Sequence, residues 1–239
     1  MTDAITRFLP KGPADTGLER WEEMDPTELL SGAPVQHGHT YHEIEAQGYI
    51  TGVWDCTAFT GHPEAYDVDE YMYLLEGTLI MRMPDGAEIH LKAGDAFIIP
   101  KGLKCQWDQP GYLRKFFMIL DGPVPEAGAN PSLTRITVPD VAGGGMAPDA
   151  VATERVDFVN AAGTMQVRHS THAEATIPAR PATEYQLIQV LEGALTLTSD
   201  AGPQTFAAGD TAYIAQGSTI GWATKNGTRL LTSSYCSPT

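Results

Sequence analysis

Residues 70–77 read EYMYLLEG, and a related stretch, QLIQVLEG, occupies residues 186–193. Their shared ending, Leu-Glu-Gly, recurs at an offset of 116 residues. Three further landmarks recur at an offset of 115 residues, namely Gly94-Asp95 as Gly209-Asp210, Gly102 as Gly217, and Trp107 as Trp222. Because four landmarks recur in the same order, the sequence indicates two copies of one domain.

Each copy is predicted to consist of short antiparallel strands. In the first copy, apolar or aromatic runs separated by turn residues occupy residues 71–75, 78–83, 89–91 and 96–99. The second copy repeats this pattern at residues 187–191, 194–198, 205–207 and 211–215. Short strands at this spacing are typical of an antiparallel sandwich or barrel. The fold class predicted from the pattern is therefore all-β, with two copies of an antiparallel sandwich or barrel.

Linker-like composition sets the predicted domain boundaries. Residues 121–131 and 141–148 are rich in Pro, Gly and Ala, as connecting segments often are. We therefore predict a short N-terminal arm over residues 1–47, a first barrel over residues 48–130 and a second barrel over residues 131–239.

Composition and charge restrict the partners and the compartment. The 239-residue chain has 30 acidic and 15 basic residues, a net charge of −15, which disfavours nucleic acid and membrane surfaces as partners. No apolar run approaches the roughly 20 residues of a membrane span. The first 11 residues lack an apolar signal region, and three scattered cysteines make no disulfide framework. We therefore expect a cytoplasmic protein.

The landmarks resemble the two sequence motifs of the cupin superfamily, whose members are small antiparallel jelly-roll barrels with an internal pocket. The first cupin motif ends in Glu, six residues and Gly, which matches Glu70 and Gly77. The second motif is Gly, five residues, Pro-x-Gly, two residues and His. It matches Gly94 and Pro100-Lys101-Gly102, with Cys105 at the His position. The resemblance implies two tandem cupin jelly rolls, a bicupin.

The sequence around these motifs is similar to that of one branch of the superfamily, the cupin_3 (DUF861) group. The similarity is carried by the runs Gly52-Val53-Trp54-Asp55-Cys56, Asp69 to Gly77 and Arg114-Lys115-Phe116. That group includes ethanolamine-utilisation-type cupins and, more distantly, the two-domain ureidoglycine aminohydrolases. Because the cupin fold hosts many unrelated activities, the resemblance implies the fold more closely than the function.

The resemblance also implies a metal, which most cupin enzymes hold with His and Glu side chains of the two motifs. In the first copy Glu70 remains, but Cys105 replaces the second-motif His. In the second copy Gln186 and Ile220 stand at the Glu and His positions, so we expect a degenerate, structural barrel. No cofactor is therefore predicted. The alternative is a divalent transition metal held by His62, Glu64 and Glu70.

The predicted site lies in the first barrel. Strand alternation places Glu70 and Met72 on one face of a strand, and Cys105 and Trp107 on one face of another. In cupins these faces line the barrel interior, where they would form an apolar pocket with a few polar groups. The expected catalytic residues are Glu70, Tyr66 and Cys105. The expected substrate contacts are Glu64, Met72, Trp107 and Lys104.

Each candidate residue also has a second interpretation. Burial would make Glu70 a general acid or base, or Glu70 would only hydrogen-bond a buried Tyr or backbone group. Cys105 is a nucleophile if a neighbouring cation activates it, and otherwise an inert core residue. Basic residues concentrate at Lys101, Lys104, Arg114 and Lys115, which form either a patch for an anionic substrate or an ordinary solvated face.

Three functions remain open at this point. The first is acid–base catalysis on a small anionic or nitrogen-containing metabolite. The second is a metalloenzyme of aminohydrolase, lyase or isomerase type with non-standard ligands, and the third is a non-catalytic metabolite-binding or sensing cupin. The His37, His39 and His42 run has no assigned role. Apolar outer residues, Tyr71, Tyr73 and Leu75, lead us to expect a homodimer.

Overall fold

The computed structural model describes residues 4–122, 132–136 and 152–237. The described residues form 23 strands, numbered in chain order: β1 (Ile5–Phe8), β2 (Glu19–Arg20), β3 (Leu29–Gly32), β4 (Gln36–Ile44), β5 (Tyr49–Cys56), β6 (Phe59–Gly61), β7 (Glu64–Ala65), β8 (Asp69–Glu76), β9 (Thr78–Arg82), β10 (Glu88–Lys92), β11 (Ala96–Ile99), β12 (Lys104–Gln109), β13 (Leu113–Leu120), β14 (Thr134–Ile136), β15 (Ala152–Val159), β16 (Met165–His172), β17 (Ala175–Pro181), β18 (Tyr185–Glu192), β19 (Ala194–Ser199), β20 (Gly202–Ala207), β21 (Thr211–Ile214), β22 (Thr219–Thr224) and β23 (Thr228–Tyr235). Three short 3-10 helices cover Pro13–Asp15, Pro26–Glu28 and Glu45–Gln47. Nowhere in the described ranges is there a helix long and apolar enough to cross a membrane.

The first barrel is formed by the described residues between 9 and 137. One of its sheets has the order β14-β11-β8-β13-β5-β4-β2, and the other has the order β10-β9-β12-β6-β3, with β7 also paired to β12. The two sheets enclose an apolar core that includes Met72, Leu74, Met81 and Phe97, all fully buried. This is the predicted antiparallel barrel.

The second barrel is formed by residues 4–8 together with the described residues after 137. Its sheets have the orders β1-β21-β18-β23-β16-β15 and β17-β22-β19-β20, and its core includes Ile188, Leu195, Leu197 and Phe206. Both barrels are built from antiparallel strands, so the prediction of an all-β chain with two tandem jelly-roll barrels is confirmed.

The repeated Leu-Glu-Gly ending marks a place where the backbone needs glycine. Gly77 follows β8 with a φ of 87°, and Gly193 follows β18 with a φ of 75°. A Cβ at Gly77 would collide with the carbonyl oxygen of Tyr112, and one at Gly193 would lie 2.7 Å from Oγ1 of Thr228. Both the left-handed conformation and the close approach therefore exclude a side chain at this landmark.

The structure divides the chain differently from the predicted boundaries. Within the predicted arm, β2, β3 and β4 are strands of the first barrel, and β1 belongs to the second. Conversely β14, predicted to fall in the second barrel, pairs with β11 of the first. The reason is that each barrel completes one sheet with a strand distant in sequence, which linker composition cannot reveal.

These two distant strands occupy equivalent places. Arg7 of β1 forms an ion pair with Asp210 at 2.7 Å, and Arg135 of β14 forms one with Asp95, also at 2.7 Å. Asp95 and Asp210 belong to the repeated Gly-Asp landmark. The repeat therefore includes the strand that completes each sheet.

Candidate functional site

A buried ion pair fills the centre of the first barrel. Nζ of Lys115 lies 2.8 Å from Oε1 of Glu70, and the two residues are 6% and 3% exposed. The Tyr66 hydroxyl donates a hydrogen bond to the other Glu70 oxygen, and the Lys115 ammonium also contacts Sδ of Met72 at 3.2 Å. The Glu70 carboxylate is therefore balanced by the Lys115 ammonium, and it also accepts a hydrogen bond from a tyrosine, as its second interpretation expected.

Two indole rings enclose the Lys115 ammonium. Its Nζ lies 4.8 Å from the ring centroids of both Trp54 and Trp107, a distance typical of cation–π contacts. The Trp54 ring is fixed by a 2.9 Å hydrogen bond to Gln36, and the Trp107 ring stacks on Phe59. Together these groups fill the centre of the first barrel with protein side chains.

The basic residues that are neighbours in sequence do not form a patch. Strand alternation in β13 sends Lys115 into the barrel and Arg114 to the opposite face, where its guanidinium lies 3.2 Å from Asp55. Lys101 pairs with Asp121 at 2.6 Å. The interpretation of these residues as a joint anion-binding patch is therefore wrong.

A smaller cavity of about 170 Å³ opens beside this centre. It is lined by Met24, Glu28, Leu29, Phe59, Gly61, His62, Glu64, Tyr66, Met81, Cys105 and Trp107. The structure thus brings together four of the predicted site residues, Glu64, Tyr66, Cys105 and Trp107. The other three do not line this cavity: Glu70 lies behind Tyr66, Met72 is in the core, and the Lys104 side chain is exposed.

Two of the polar side chains that line this cavity, Tyr66 and Cys105, stay protonated at neutral pH. Burial, and after it the Glu70 carboxylate, raises the pKa of Tyr66 well above its usual value. Burial, with a smaller contribution from Glu64, raises the pKa of Cys105 to about 11. At neutral pH the Cys105 thiol is therefore a poor nucleophile, and the Tyr66 hydroxyl is a hydrogen-bond donor.

The larger cavity lies in the second barrel and has a volume of about 370 Å³. It is lined by Glu154, Arg168, Ser170, His172, Ile177, Arg180, Pro181, Ala182, Thr183, Gln186, Ile214, Ile220, Trp222, Leu230 and Thr232. Apolar side chains from four strands form its wall, and polar side chains from β16, β18 and β23 face the same space.

Strand register shows why this central space is open in the second barrel and filled in the first. Lys115 pairs with Trp54 across β13 and β5, and Leu230 pairs with Ser170 across the equivalent strands β23 and β16. The second barrel thus has a leucine and a serine where the first has an ammonium and an indole. This exchange of large side chains for small ones leaves the space unfilled.

Two further positions can be compared between the barrels, and the first of them also changes in size. The backbone of Tyr66 exchanges hydrogen bonds with Leu103 and Gly102, and Ala182 does the same with Ser218 and Gly217. A phenol ring in the first barrel is thus replaced by a methyl group in the second. Gln186 likewise occupies the position equivalent to Glu70, because each pairs with the last residue of its neighbouring strand, Ile214 in one case and Ile99 in the other.

The polar groups of the second-barrel cavity are arranged in pairs. Oγ of Ser170 lies 2.8 Å from Nε2 of His172, and burial lowers the pKa of His172, so its imidazole is neutral at physiological pH. The guanidinium of Arg168 is held by Glu184 at 2.6 Å and by Glu154 at 3.7 Å. The cavity therefore presents hydrogen-bonding groups that are already oriented.

The donor sets of the two barrels do not fit the metal that cupin enzymes hold. Within the described ranges, no three His, Cys, Asp or Glu side chains meet in a metal-binding cluster. In the first barrel the Glu70 carboxylate is already paired with the ammonium of Lys115, while His62 and Glu64 are exposed at the cavity mouth. In the second barrel Ile220 offers no ligand atom. The alternative metal set is therefore not brought together.

The histidine run also lies apart from both cavities. His37 is 3.1 Å from Asp55, the His39 ring packs edge-on against Tyr41, and the His42 ring packs against Tyr49. Each imidazole thus has a separate neighbour along β4.

Comparisons with known proteins agree with this architecture. A family model described as the EutQ-like cupin domain matches residues 45–117. No curated protein sequence matches the chain.

Several solved structures share the fold. A DUF861-family protein of unknown function from Pseudomonas syringae pv. tomato str. DC3000 is 19% identical, with a TM-score of 0.71 over 97% of this chain and 99% of that chain. Protein Ylba from E. coli, also of DUF861, is 12% identical, with a TM-score of 0.57 over 99% and 92%. A salicylate 1,2-dioxygenase from Pseudaminobacter salicylatoxidans is 14% identical, with a TM-score of 0.52 over 79% and 71%. At these identities the structural likeness concerns the fold alone. The first barrel thus contains a region similar to the EutQ-like cupin domain, and the described residues have the two-barrel cupin fold of the DUF861 structures.

Proposed function

We propose that this protein binds a small molecule in the cavity of its second barrel. The observation that carries the proposal is the 370 Å³ space at the barrel positions that Lys115, Trp54 and Tyr66 fill in the first barrel. Ligand sites in proteins usually have volumes of about 300–1,000 Å³ and combine an apolar wall with a few polar groups. The second-barrel cavity meets both conditions.

The lining indicates an amphipathic ligand. Ile220, Trp222 and Leu230 supply apolar contact area, while the amide of Gln186 and the Ser170 hydroxyl supply hydrogen bonds. A molecule of about one ring, with polar substituents, would bury its ring against the apolar wall.

The test restores the lost phenol ring. Ala182→Tyr places a side chain like that of Tyr66 in the cavity, and Ala207→Tyr makes the same change at an exposed position of β20. In a thermal-shift screen of small metabolites, ligands of the wild type should raise the Tm of Ala207→Tyr equally and leave Ala182→Tyr unchanged. Ligands that stabilise Ala182→Tyr as strongly as the wild type would place binding elsewhere, and a screen without ligands would also count against the proposal.

Acid–base chemistry in the first barrel is the second candidate. It is favoured by the chain of contacts from Tyr66, which lines the 170 Å³ cavity, through Glu70 to Lys115. In this arrangement Tyr66 would exchange a proton with a small anionic or nitrogen-containing substrate, and Glu70 would orient the Tyr66 hydroxyl. Tyr66→Phe should then abolish turnover while Ala182→Tyr leaves it intact. Turnover that survives Tyr66→Phe but is lost in Ala182→Tyr would remove this candidate.

The proposal extends to assembly and location. We expect a homodimer, which light scattering of the purified protein would detect as a particle of twice the chain mass. We also expect a cytoplasmic location, which is supported by Cys56, Cys105 and Cys236, all three of which are free thiols.

A further inference from the structure

We infer that the ligand of the second-barrel cavity carries an anionic group, and that Arg180 at the cavity wall recognises it. This inference rests on the proposed function, because it names the class of molecule that the same cavity would bind. Three observations about Arg180 support it, concerning its partners, its orientation and its counterpart in the first barrel.

Within the parts of the chain that the structure describes, Arg180 is the one arginine that has no acidic partner. The chain has nine arginines, all within the described residues, and eight of them lie within 4.0 Å of a carboxylate. Among the described residues no carboxylate pairs with Arg180. In a chain of net charge −15, in which carboxylates outnumber cations two to one, an unpaired guanidinium at a cavity wall has its donors available for an incoming anion.

A β-bulge aims Arg180 at the cavity. In the pairing of β17 with β22, Ile177 lies opposite Trp222 and Arg180 lies opposite Ile220. Three steps along β17 thus correspond to two steps along β22, so β17 contains one extra residue. In a regular strand, residues three positions apart, such as Ile177 and Arg180, would point to opposite faces of the sheet. The bulge puts both side chains on the cavity side, the kind of re-aiming for which bulges are found beside binding sites.

The equivalent position in the first barrel has the opposite charge. Glu64 lies opposite Cys105 in the pairing of β7 with β12, just as Arg180 lies opposite Ile220. Both residues line the cavity of their own barrel. The two copies therefore differ in charge at one structural position, and the second copy is the one suited to an anion.

The remaining lining limits the anion to a small amphipathic molecule. Arg180 is exposed at the outer end of the cavity, whereas Ile220 and Trp222 form the inner wall. A ligand that reaches both would have a carboxylate at one end and an apolar body of about one ring at the other. Benzoate has this shape, and benzamide is a neutral molecule of the same size.

Isothermal titration with these two probes tests the inference. The wild type should bind benzoate about tenfold more tightly than benzamide, because a charge-assisted hydrogen bond to Arg180 is available only to the carboxylate. Arg180→Gln should weaken benzoate to the level of benzamide and leave benzamide unchanged. Arg180→Lys should retain part of the preference, and added salt should weaken benzoate alone.

The outcomes separate the inference from the proposed function. Equal binding of the two probes by the wild type, or a benzoate preference that survives Arg180→Gln, would overturn the role of Arg180 while the cavity remains a binding site. If neither probe binds the wild type, the inference of a one-ring anion fails. The proposed function is tested by a different experiment, the thermal-shift screen. It fails if that screen finds no ligand whose effect on the Tm is lost in Ala182→Tyr.

Discussion

Lys115 and Glu70 form a 2.8 Å ion pair at the centre of the first barrel, and the residues at the same positions in the second barrel are Leu230 and Gln186. The ion pair belongs to a filled barrel centre in the first copy, whereas the second copy has a cavity of about 370 Å³ there. The two copies share a fold, but they differ in the residue volume and charge that a ligand would meet.

Removing one member of the buried pair should be costly. Lys115→Leu leaves the Glu70 carboxylate buried without its ammonium, and we expect a loss of about 3–5 kcal/mol in the free energy of unfolding. Adding Glu70→Gln, which reproduces the second-barrel pair, should recover most of that loss. Urea unfolding of both variants, followed by tryptophan fluorescence, measures this difference. A double variant as unstable as the single one would show that the pair is not the cause.

The Leu-Glu-Gly glycine should be much less tolerant than an ordinary turn glycine. Gly77→Ala combines a left-handed backbone with a collision against the Tyr112 carbonyl, so we expect a loss of more than about 2 kcal/mol. Gly86 has the same φ of 87° but no atom within 4 Å of a built Cβ, so Gly86→Ala should cost only about 1 kcal/mol. Equal unfolding midpoints for the two variants would contradict this explanation of the landmark.

The cysteines should divide into one reactive and two protected thiols. Burial raises the pKa of both Cys56 and Cys105 to about 11, whereas Cys236 is exposed. At pH 8 a thiol reagent should therefore modify one thiol per native chain rapidly and the other two only on unfolding. Mass spectrometry identifies the modified residue, and rapid labelling of Cys105 would restore it as a candidate nucleophile.

The two buried thiols, Cys56 and Cys105, make the free energy of unfolding depend on pH in the alkaline range. In the unfolded chain each thiol loses its proton near its ordinary pKa of 9.0, whereas in the folded chain it keeps the proton to about 11. The unfolded state thus binds fewer protons between these values, so stability falls as the pH rises through this window. The contribution of the thiols is fully present below pH 9. Cys105→Ala should flatten the fall, and an unchanged slope would refute the assignment.

Sequence patterns were sufficient for the fold but not for the contents of the barrels. The repeated landmarks and the strand alternation predicted both barrels, and alternation also placed Glu70 and Met72 correctly on one face. The Glu70–Lys115 pair was missed because its members are 45 residues apart on neighbouring strands. Alternation within β13 alone would have separated Arg114 from Lys115, and this signal was available.

The second-barrel cavity could not be predicted from the sequence motifs, because these motifs identify metal-ligand positions and not the side-chain volume inside a barrel. Ser170, Ala182 and Leu230 are each smaller than their first-barrel counterparts, a difference that becomes visible once the pairing registers align the copies. The strands that complete one sheet of each barrel, β1 and β14, share only the dipeptide Thr-Arg. This dipeptide is too short to indicate a common role. Their equivalence depends on contacts between residues distant in sequence.

The location of a bound one-ring anion is the most direct test of the account. Crystals of the protein soaked in 4-bromobenzoate would locate the bromine by anomalous scattering in either barrel. We predict one strong bromine peak inside the second barrel against Trp222, with the carboxylate directed to Arg180. A principal peak beside Tyr66 in the first barrel, or no peak in the second barrel, would contradict the assignment of the ligand site.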